Sequence, residues 1–491
     1  MRWNDRSTRE VEFNVRALNL LWLLGIVVDL IAVFFAHRYP LLGHSDRLTD
    51  VGKLSHYHGA QFTEYVVGML TIALCVGLGI RQTALLPAAA AAAPVFTCGA
   101  IALLFFGLMY PVNAIDIFIY ASRSRLWTQY GANPIAVKPS LYELDAWRKF
   151  ASEWGNSTSP YGPLWNWIAW PATRISGDDI GRALAGFKVL AGASVLVSAA
   201  LVYKTANLVR PGTGAAAALF YCWNPLVLWE GAGNGHNDVV MVVPLLAAAL
   251  LLAGKRYPGV IPMIVAAAMI KYVALLAVPF TVVAFWRLNP GWRARLRNAL
   301  WSALGSAAVV AVSLAPFFDL AAIRSSLKTQ GDIVLTSSAS LAIGLYRNRY
   351  PVPTITHWAH LIGYAVLGFG LFILLVATYR RPGQALRVWF EAMFLYLITA
   401  AWTVRPWYGI WLVALAAVLP LGLTAVRAMI WSLGGLASYA LWIWGWEWWK
   451  VDYYRIQNVG VLITLGPPIA FAMIEAIFLT WLRIRRHAPA G

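Results

Sequence analysis

Apolar residues arrive along this chain in long unbroken runs, not in the alternation of a half-buried strand. Runs near the roughly 20 residues that a spanning helix needs lie at 17–36, 62–80, 85–112, 184–203, 213–230, 237–253, 299–317, 358–378, 388–403, 408–426, 429–446 and 459–482. They predict an all-α polytopic transmembrane helix bundle of about 12 full crossings, forming a single domain over 1–491. The first run lacks a small-residue cleavage site and reads as a retained helix. Between the runs, basic residues cluster at Arg2, Arg6, Arg9 and Arg16, at Arg81, Lys204 with Arg210, Lys255 with Arg256, Arg287 to Arg297, Arg380 to Arg387, Arg427, and Arg483, Arg485 and Arg486. The positive-inside rule makes these loops cytoplasmic, with both termini inside. Alternation then holds only if 259–286 does not cross. This stretch of 28 residues therefore reads as two short helices in a re-entrant hairpin, with Lys271 and Tyr272 at the turn. The alternative is one long tilted helix whose lysine snorkels to an interface.

Composition narrows the class. Hydrophobic residues make up 60% and charged residues 12% of the 491 positions, a balance for which lipid must be the main solvent. The formal charge of +18 would suggest nucleic acid in a soluble chain, but here Lys and Arg sit in short loops beside apolar runs, which argues against a nucleic-acid partner. Cys75, Cys98 and Cys222 lie inside apolar runs without metal-ligand spacing, so no disulfide framework or metal site is expected. The same threading puts 37–61, 113–183, 318–357 and the turn around Arg405 outside. The segment 113–183 mixes Trp, Tyr, Pro and charge, as short interfacial helices would.

Candidate chemistry gathers on that outer side. Asp116 follows the third helix among aromatic and apolar neighbours, Tyr120 included, where partial desolvation strengthens a carboxylate as a base; a helix cap is the other reading. The turn Ser159-Pro160-Tyr161-Gly162-Pro163 offers a rigid aromatic face. Asn234, His236, Asn237 and Asp238 follow three glycines and cannot face lipid cheaply, so they are candidates for acceptor hydroxyls, although Asp238 could cap the next helix. No second histidine or carboxylate stands at zinc-ligand spacing. Arg405, beside Pro406, Trp407 and Tyr408, opposes the positive-inside bias and suits an anionic phosphate group, while Lys271 is a site candidate because an ammonium at membrane depth must be buried in protein or line a wet cavity. Arg324, Lys328, Arg347 and Arg349 share that outer placement and read equally as a solvated loop touching lipid headgroups.

Taken in order, Asp116 to Tyr120, Gly131 to Pro134, Asn224-Pro225 to Asp238, Lys271-Tyr272 and Pro406-Trp407-Tyr408 resemble the GT-C superfamily of membrane glycosyltransferases. In particular they resemble the polyprenol-phosphomannose-dependent mannosyltransferases. The resemblance implies a plasma-membrane enzyme, bacterial by its mycobacterial-type relatives, whose active site faces outside. It implies transfer of a hexose, mannose by analogy, from a polyprenyl-phosphate donor to a glycan or glycolipid acceptor with inversion, and no cofactor. Asp116 maps onto the catalytic base; Lys271 and Arg405 would bind the donor phosphate, with Tyr120, Tyr161, Asn234, His236, Asn237, Asp238, Trp407 and Tyr408 around the substrates. Many members pair two acidic residues, whereas Ile117 follows here, so a single carboxylate carries the role. Two helices precede the loop-bearing one, where a single helix is common. A transporter or flippase of lipid-linked saccharides is the rival from another class; the inverted repeats common in transporters are missing from this sequence.

Overall fold

The computed structural model describes the backbone of residues 4–46, 48–289, 291–330 and 334–487, and side chains within 14–46, 48–289, 291–325 and 334–481. Arg2, Arg6, Arg9, Lys328, Arg483, Arg485 and Arg486 lie outside the described side chains. Among the described residues the chain is all helical, with isolated bridges Pro40 to Met109 and Leu335 to Thr403 and no strand.

The principal helices are α1 (Asn4–Arg38), α2 (Gly59–Thr83), α3 (Ala88–Leu108), α4 (Asp116–Tyr130), α5 (Pro163–Ser176), α6 (Ile180–Val209), α7 (Gly214–Cys222) and α8 (Asp238–Ala253). They continue with α9 (Val260–Ala268), α10 (Val278–Leu288), α11 (Trp292–Leu314), α12 (Val352–Arg380), α13 (Ala385–Thr399), α14 (Gly409–Ala417), α15 (Leu423–Ala440) and α16 (Tyr453–His487). Many of their outward faces carry exposed Leu, Ile, Val and Phe, such as Leu30, Leu74, Leu104, Val189 and Phe369, while Ala, Gly and aromatic rings fill the contacts between helices. Apolar residues on the outside and small residues at the contacts are what lipid as solvent selects.

Fewer long apolar helices form than the twelve expected crossings. By length and composition seven helices among the described residues can span a membrane, or eight if the π-helical turn Val227–Gly233 and α8 count as one span bent by 115°. Run 237–253 is the α8 arm of that bent pair, and the other four runs fall short for local reasons. Asn224-Pro225 ends α7 at Cys222, and a backbone that lacks the proline N–H cannot carry the ladder through. Pro420 and Gly422 separate α14 from α15, dividing the run 408–426. Three arginines in the first turns of α11 make that helix too polar, and α13 stops after 15 residues.

The stretch 259–286 forms two short helices, α9 and α10, with a break at Met269 to Lys271. Both outer ends of the pair lie beside α11: Ser302 Oγ donates to Pro258 O at 3.1 Å, and Asn298 Nδ2 to Asn289 Oδ1 at 3.0 Å. At the break, Lys271 meets Asp238, the first residue of α8.

Near the termini of α13, α15 and α16, Arg427 donates to both oxygens of Glu391 at 2.9 and 2.6 Å and lies 3.2 Å from Glu475, which also accepts from Arg387 at 3.0 Å. This two-cation, two-anion network locks three helices together with few unpaired charges. The opposite end of the bundle carries the site.

Candidate active site

Helix α4 begins at Asp116, and its face from Ile117 to Leu126 is buried, so this part of the outer segment is core and not an interfacial helix. Two contacts dock it. Tyr120 Oη donates to Asn237 Oδ1 at 3.2 Å, and Gly235, at φ 76°, faces Ile117, where an added Cβ would fall 2.5 Å from Ile117 Cδ1. Only glycine meets both requirements. The buried Lys188 of α6 donates to the backbone carbonyls of Met109 and Gly233, tying the end of α3, which leads to Asp116, to the turn that leads to His236. Its amine satisfies buried carbonyls that the helix ends leave without an intrahelical partner.

The turn carrying Tyr161 is stitched to the break between α9 and α10. Gly162 N donates to Ile270 O at 3.0 Å and Leu164 N to Met269 O at 2.9 Å. A Cβ on Gly162 would lie 2.2 Å from Met269 O, so glycine permits this approach. Lys271 follows immediately, its Nζ 2.6 Å from Asp238 Oδ2 and 5.1 to 5.9 Å from the ring centres of Tyr161, Tyr408 and Trp411. The second oxygen of Asp238 accepts from Trp411 Nε1 at 2.6 Å. With both oxygens engaged and the side chain fully buried, Asp238 holds Lys271 in place.

These segments enclose a cavity of about 480 Å³ whose wall includes Asp116, Arg123, Tyr161, Lys271, Arg405, Trp407, Tyr408 and Trp411. Tyr161 Oη donates to Asp116 Oδ1 over a long 3.4 Å. Burial, with the Asp116 carboxylate beside it, pushes the Tyr161 phenol well above its ordinary value, so it remains a donor. Arg405 lies over the Trp407 ring at 5.7 Å.

Six of the sequence-based candidates thus share the cavity: Asp116, Tyr161, Lys271, Arg405, Trp407 and Tyr408. Five do not line it. Tyr120 is a buried strut; Asn234 spans Glu230 Oε2 at 3.0 Å and Asn113 N at 3.4 Å; Asn237 receives Tyr120; Asp238 fixes Lys271. His236 stacks on the rear of Trp407, ring centres 3.8 Å apart at 19°, with its Nε2 3.1 Å from Glu230 Oε2. The glycine-rich turn is therefore built as support directly behind the cavity wall. Its polarity marked the right region, but polarity alone does not distinguish a ligand contact from a brace.

Of the outer basic residues, Arg347 pairs with Asp452 at 3.6 Å and stacks on Tyr454, away from the cavity. Arg123, Trp154, Tyr364, Tyr396, Trp402 and Trp411 line it without having been singled out in the sequence. Arg123 had a legible signal: it stands seven residues after Asp116, two turns along the same helical face.

A family model described as "Alpha-(1->6)-mannopyranosyltransferase, N-terminal domain" matches residues 22–287, which include Asp116 and Lys271 but not Arg405. Alpha-(1->6)-mannopyranosyltransferase A of Mycobacterium tuberculosis is 30% identical over 350 residues, covering 68% of this chain and 66% of that relative. The protein of the same name from Corynebacterium glutamicum is 28% identical over 177 residues, 35% of each chain. A probable alpha-(1->6)-mannopyranosyltransferase of Mycolicibacterium smegmatis is 26% identical over 158 residues, 30% of this chain and 25% of its own. The matched stretches thus span just under two thirds of the first relative and about a third and a quarter of the others. With these relatives, the apolar helix bundle and its cationic cavity place the chain in the class of GT-C-type membrane glycosyltransferases. Within that class it belongs to the alpha-(1->6)-mannopyranosyltransferase family.

Proposed function

We propose that the protein is a mannosyltransferase that moves mannose from a polyprenyl-phosphate donor to a hydroxyl of a glycan or glycolipid acceptor on the outer face of the membrane, with inversion. The observation that carries this reading is convergence. A lone carboxylate at position 116 and cations at 271 and 405, far apart in sequence, line one cavity walled by aromatic rings. Asp116 takes the proton of the acceptor hydroxyl as that oxygen attacks the anomeric carbon. The bond from that carbon to the phosphate oxygen breaks on the opposite face, and its electron pair leaves with the phosphate. Lys271 and Arg405 offset the negative charge that grows there, and such fixed charges cost no reorganisation when the reaction occurs. Trp407, backed by His236, and Tyr408, stacked on Trp411 at 4.5 Å, offer flat apolar faces suited to a sugar ring.

Titration with a polyprenyl-phosphate mannose in detergent, alongside product analysis, tests the donor. A charge-assisted phosphate contact is worth about 1.5 to 3 kcal/mol, so Lys271→Ala and Arg405→Ala should each raise the donor Kd roughly tenfold or more, with acceptor affinity little changed. Lys271→Arg need not restore binding, since a planar fork differs in shape from the compact ammonium that reaches Asp238 at 2.6 Å. Unchanged donor affinity in both alanine variants, with folding preserved, would put the transporter reading ahead.

The same proposal fixes orientation: the cavity opens outside, α9 and α10 form a re-entrant pair, and Lys255 and Arg293 face the cytoplasm. Support comes from the two ends of that pair meeting α11 near its arginine-rich start. In oriented vesicles, Lys255→Cys and Arg293→Cys should react with a membrane-impermeant thiol reagent only from the cytoplasmic side. Labelling from outside would overturn the threading.

A further inference from the structure

Two arginines stand two residues apart on α4 and meet different fates. Arg125 is satisfied by protein: Nε reaches Asp145 Oδ2 at 2.6 Å, Nη2 reaches Asp178 Oδ1 at 2.5 Å, Nη1 donates to Gly177 O at 2.9 Å, and the guanidinium lies over Trp147 at 4.6 Å. Arg123 is 4% exposed, yet its Nη2 donates only to Ser157 Oγ, at 2.8 Å, and its buried Nε has no partner. Among the described residues no carboxylate lies within ion-pair distance of it. A buried guanidinium without a counter-ion is costly, and the cost falls when an anion arrives beside it.

We propose that Arg123 is a phosphate-binding residue of the transferase site, supplying the uncompensated positive charge of the cavity. The assignment rests on the donor reading given above and deepens it. Lys271 already holds Asp238, so its charge is partly spent before any ligand binds. Arg123, Lys271 and Arg405, set against Asp116 and Asp238, leave one net positive charge at the cavity. A sugar phosphodiester carries one negative charge and balances it. On transfer the acceptor proton neutralises Asp116, and the cavity gains a second positive charge. The departing phosphate monoester, with a second pKa near 6, gains a second negative charge in the same step. Without Arg123 the occupied cavity would be one positive charge short both before and after reaction.

The full-length protein in detergent is titrated with a polyprenyl monophosphate, the headgroup left after transfer. Arg123→Gln should weaken this ligand tenfold or more, and Arg123→Lys should recover part of the loss. Ser157→Ala separates phosphate binding from loop anchoring. It removes the bond that ties Arg123 to the protein but keeps its charge, so affinity should stay within about threefold of wild type. Three results would each overturn the assignment: Arg123→Gln binding as wild type does, Ser157→Ala losing as much affinity as Arg123→Gln, or Arg123→Lys recovering nothing while matching the wild type in thermal unfolding. If the wild type itself does not bind the polyprenyl monophosphate, the donor reading falls and this assignment falls with it. Wild-type binding with an unaffected Arg123→Gln variant overturns the role of Arg123 alone.

Discussion

Asp116→Asn is expected to lower turnover by roughly 10²- to 10⁴-fold, the range for losing a general base, while the donor Kd stays within about threefold of wild type. The amide keeps the shape of the carboxylate, and its oxygen can still accept from Tyr161 Oη across the 3.4 Å gap. What it cannot do is take a proton from the attacking hydroxyl. Donor binding should if anything tighten, because the substitution removes a negative charge from a cavity that receives an anion. The effect therefore falls on kcat and not on ground-state affinity. Ile117 follows Asp116, no other carboxylate lines the cavity among the described residues, and Asp238 behind it has both oxygens engaged. Steady-state kinetics with direct donor titration measures both quantities. Full activity in the purified variant would remove Asp116 from the mechanism, and equal losses in affinity and turnover would assign it to binding.

Helix class was legible because lipid imposes a crude rule: unbroken apolar runs must satisfy their backbone internally. Which runs form long helices was not, because hydropathy cannot see where the chain bends by 115° between Val227–Gly233 and Asp238–Ala253 or where Pro420 and Gly422 stop a helix. The break at Lys271 was readable for a physical reason: an ammonium inside an apolar run is expensive unless something awaits it. The sequence did not reveal that Asp238 awaits it, 33 positions earlier in the chain, since pair partners across a bundle leave no local pattern. The same blindness made Asn234, His236 and Asn237 look like ligand contacts, when Asn234 bridges Glu230 and Asn113, Asn237 Oδ1 accepts from Tyr120, and His236 stacks on Trp407. What sets Arg123 apart from a solvated loop arginine is its burial as α4 packs against the rest of the bundle, which its neighbours in sequence do not announce.

Asp238→Ala is expected to cost about 3 to 5 kcal/mol of stability, the penalty for breaking a buried ion pair by removing one partner. The side chain of Lys271 is 13% exposed, its ammonium would lose its 2.6 Å contact, and Trp411 Nε1 would lose its acceptor at the same time. The two losses share one carboxylate, so the effect should exceed that of Lys271→Met, which removes the cation and fills much of its volume with an apolar chain. If Asp238 acts chiefly by holding Lys271, then adding Lys271→Met to Asp238→Ala should return a large part of the lost stability, a coupling that a double-mutant cycle reads directly. Donor binding should behave differently. Asp238→Ala frees Lys271 to leave its position between Tyr161 and Tyr408, and the double variant lacks the cation altogether, so affinity for a polyprenyl-phosphate donor should stay low in both. Stability recovered without recovered binding would separate the structural role of the pair from its role at the phosphate. Equilibrium unfolding in mixed micelles and donor titration on the same four proteins decide the matter. Additive stability losses, or a raised acceptor KM with unchanged donor affinity in Asp238→Ala, would return Asp238 to direct contact with the acceptor sugar.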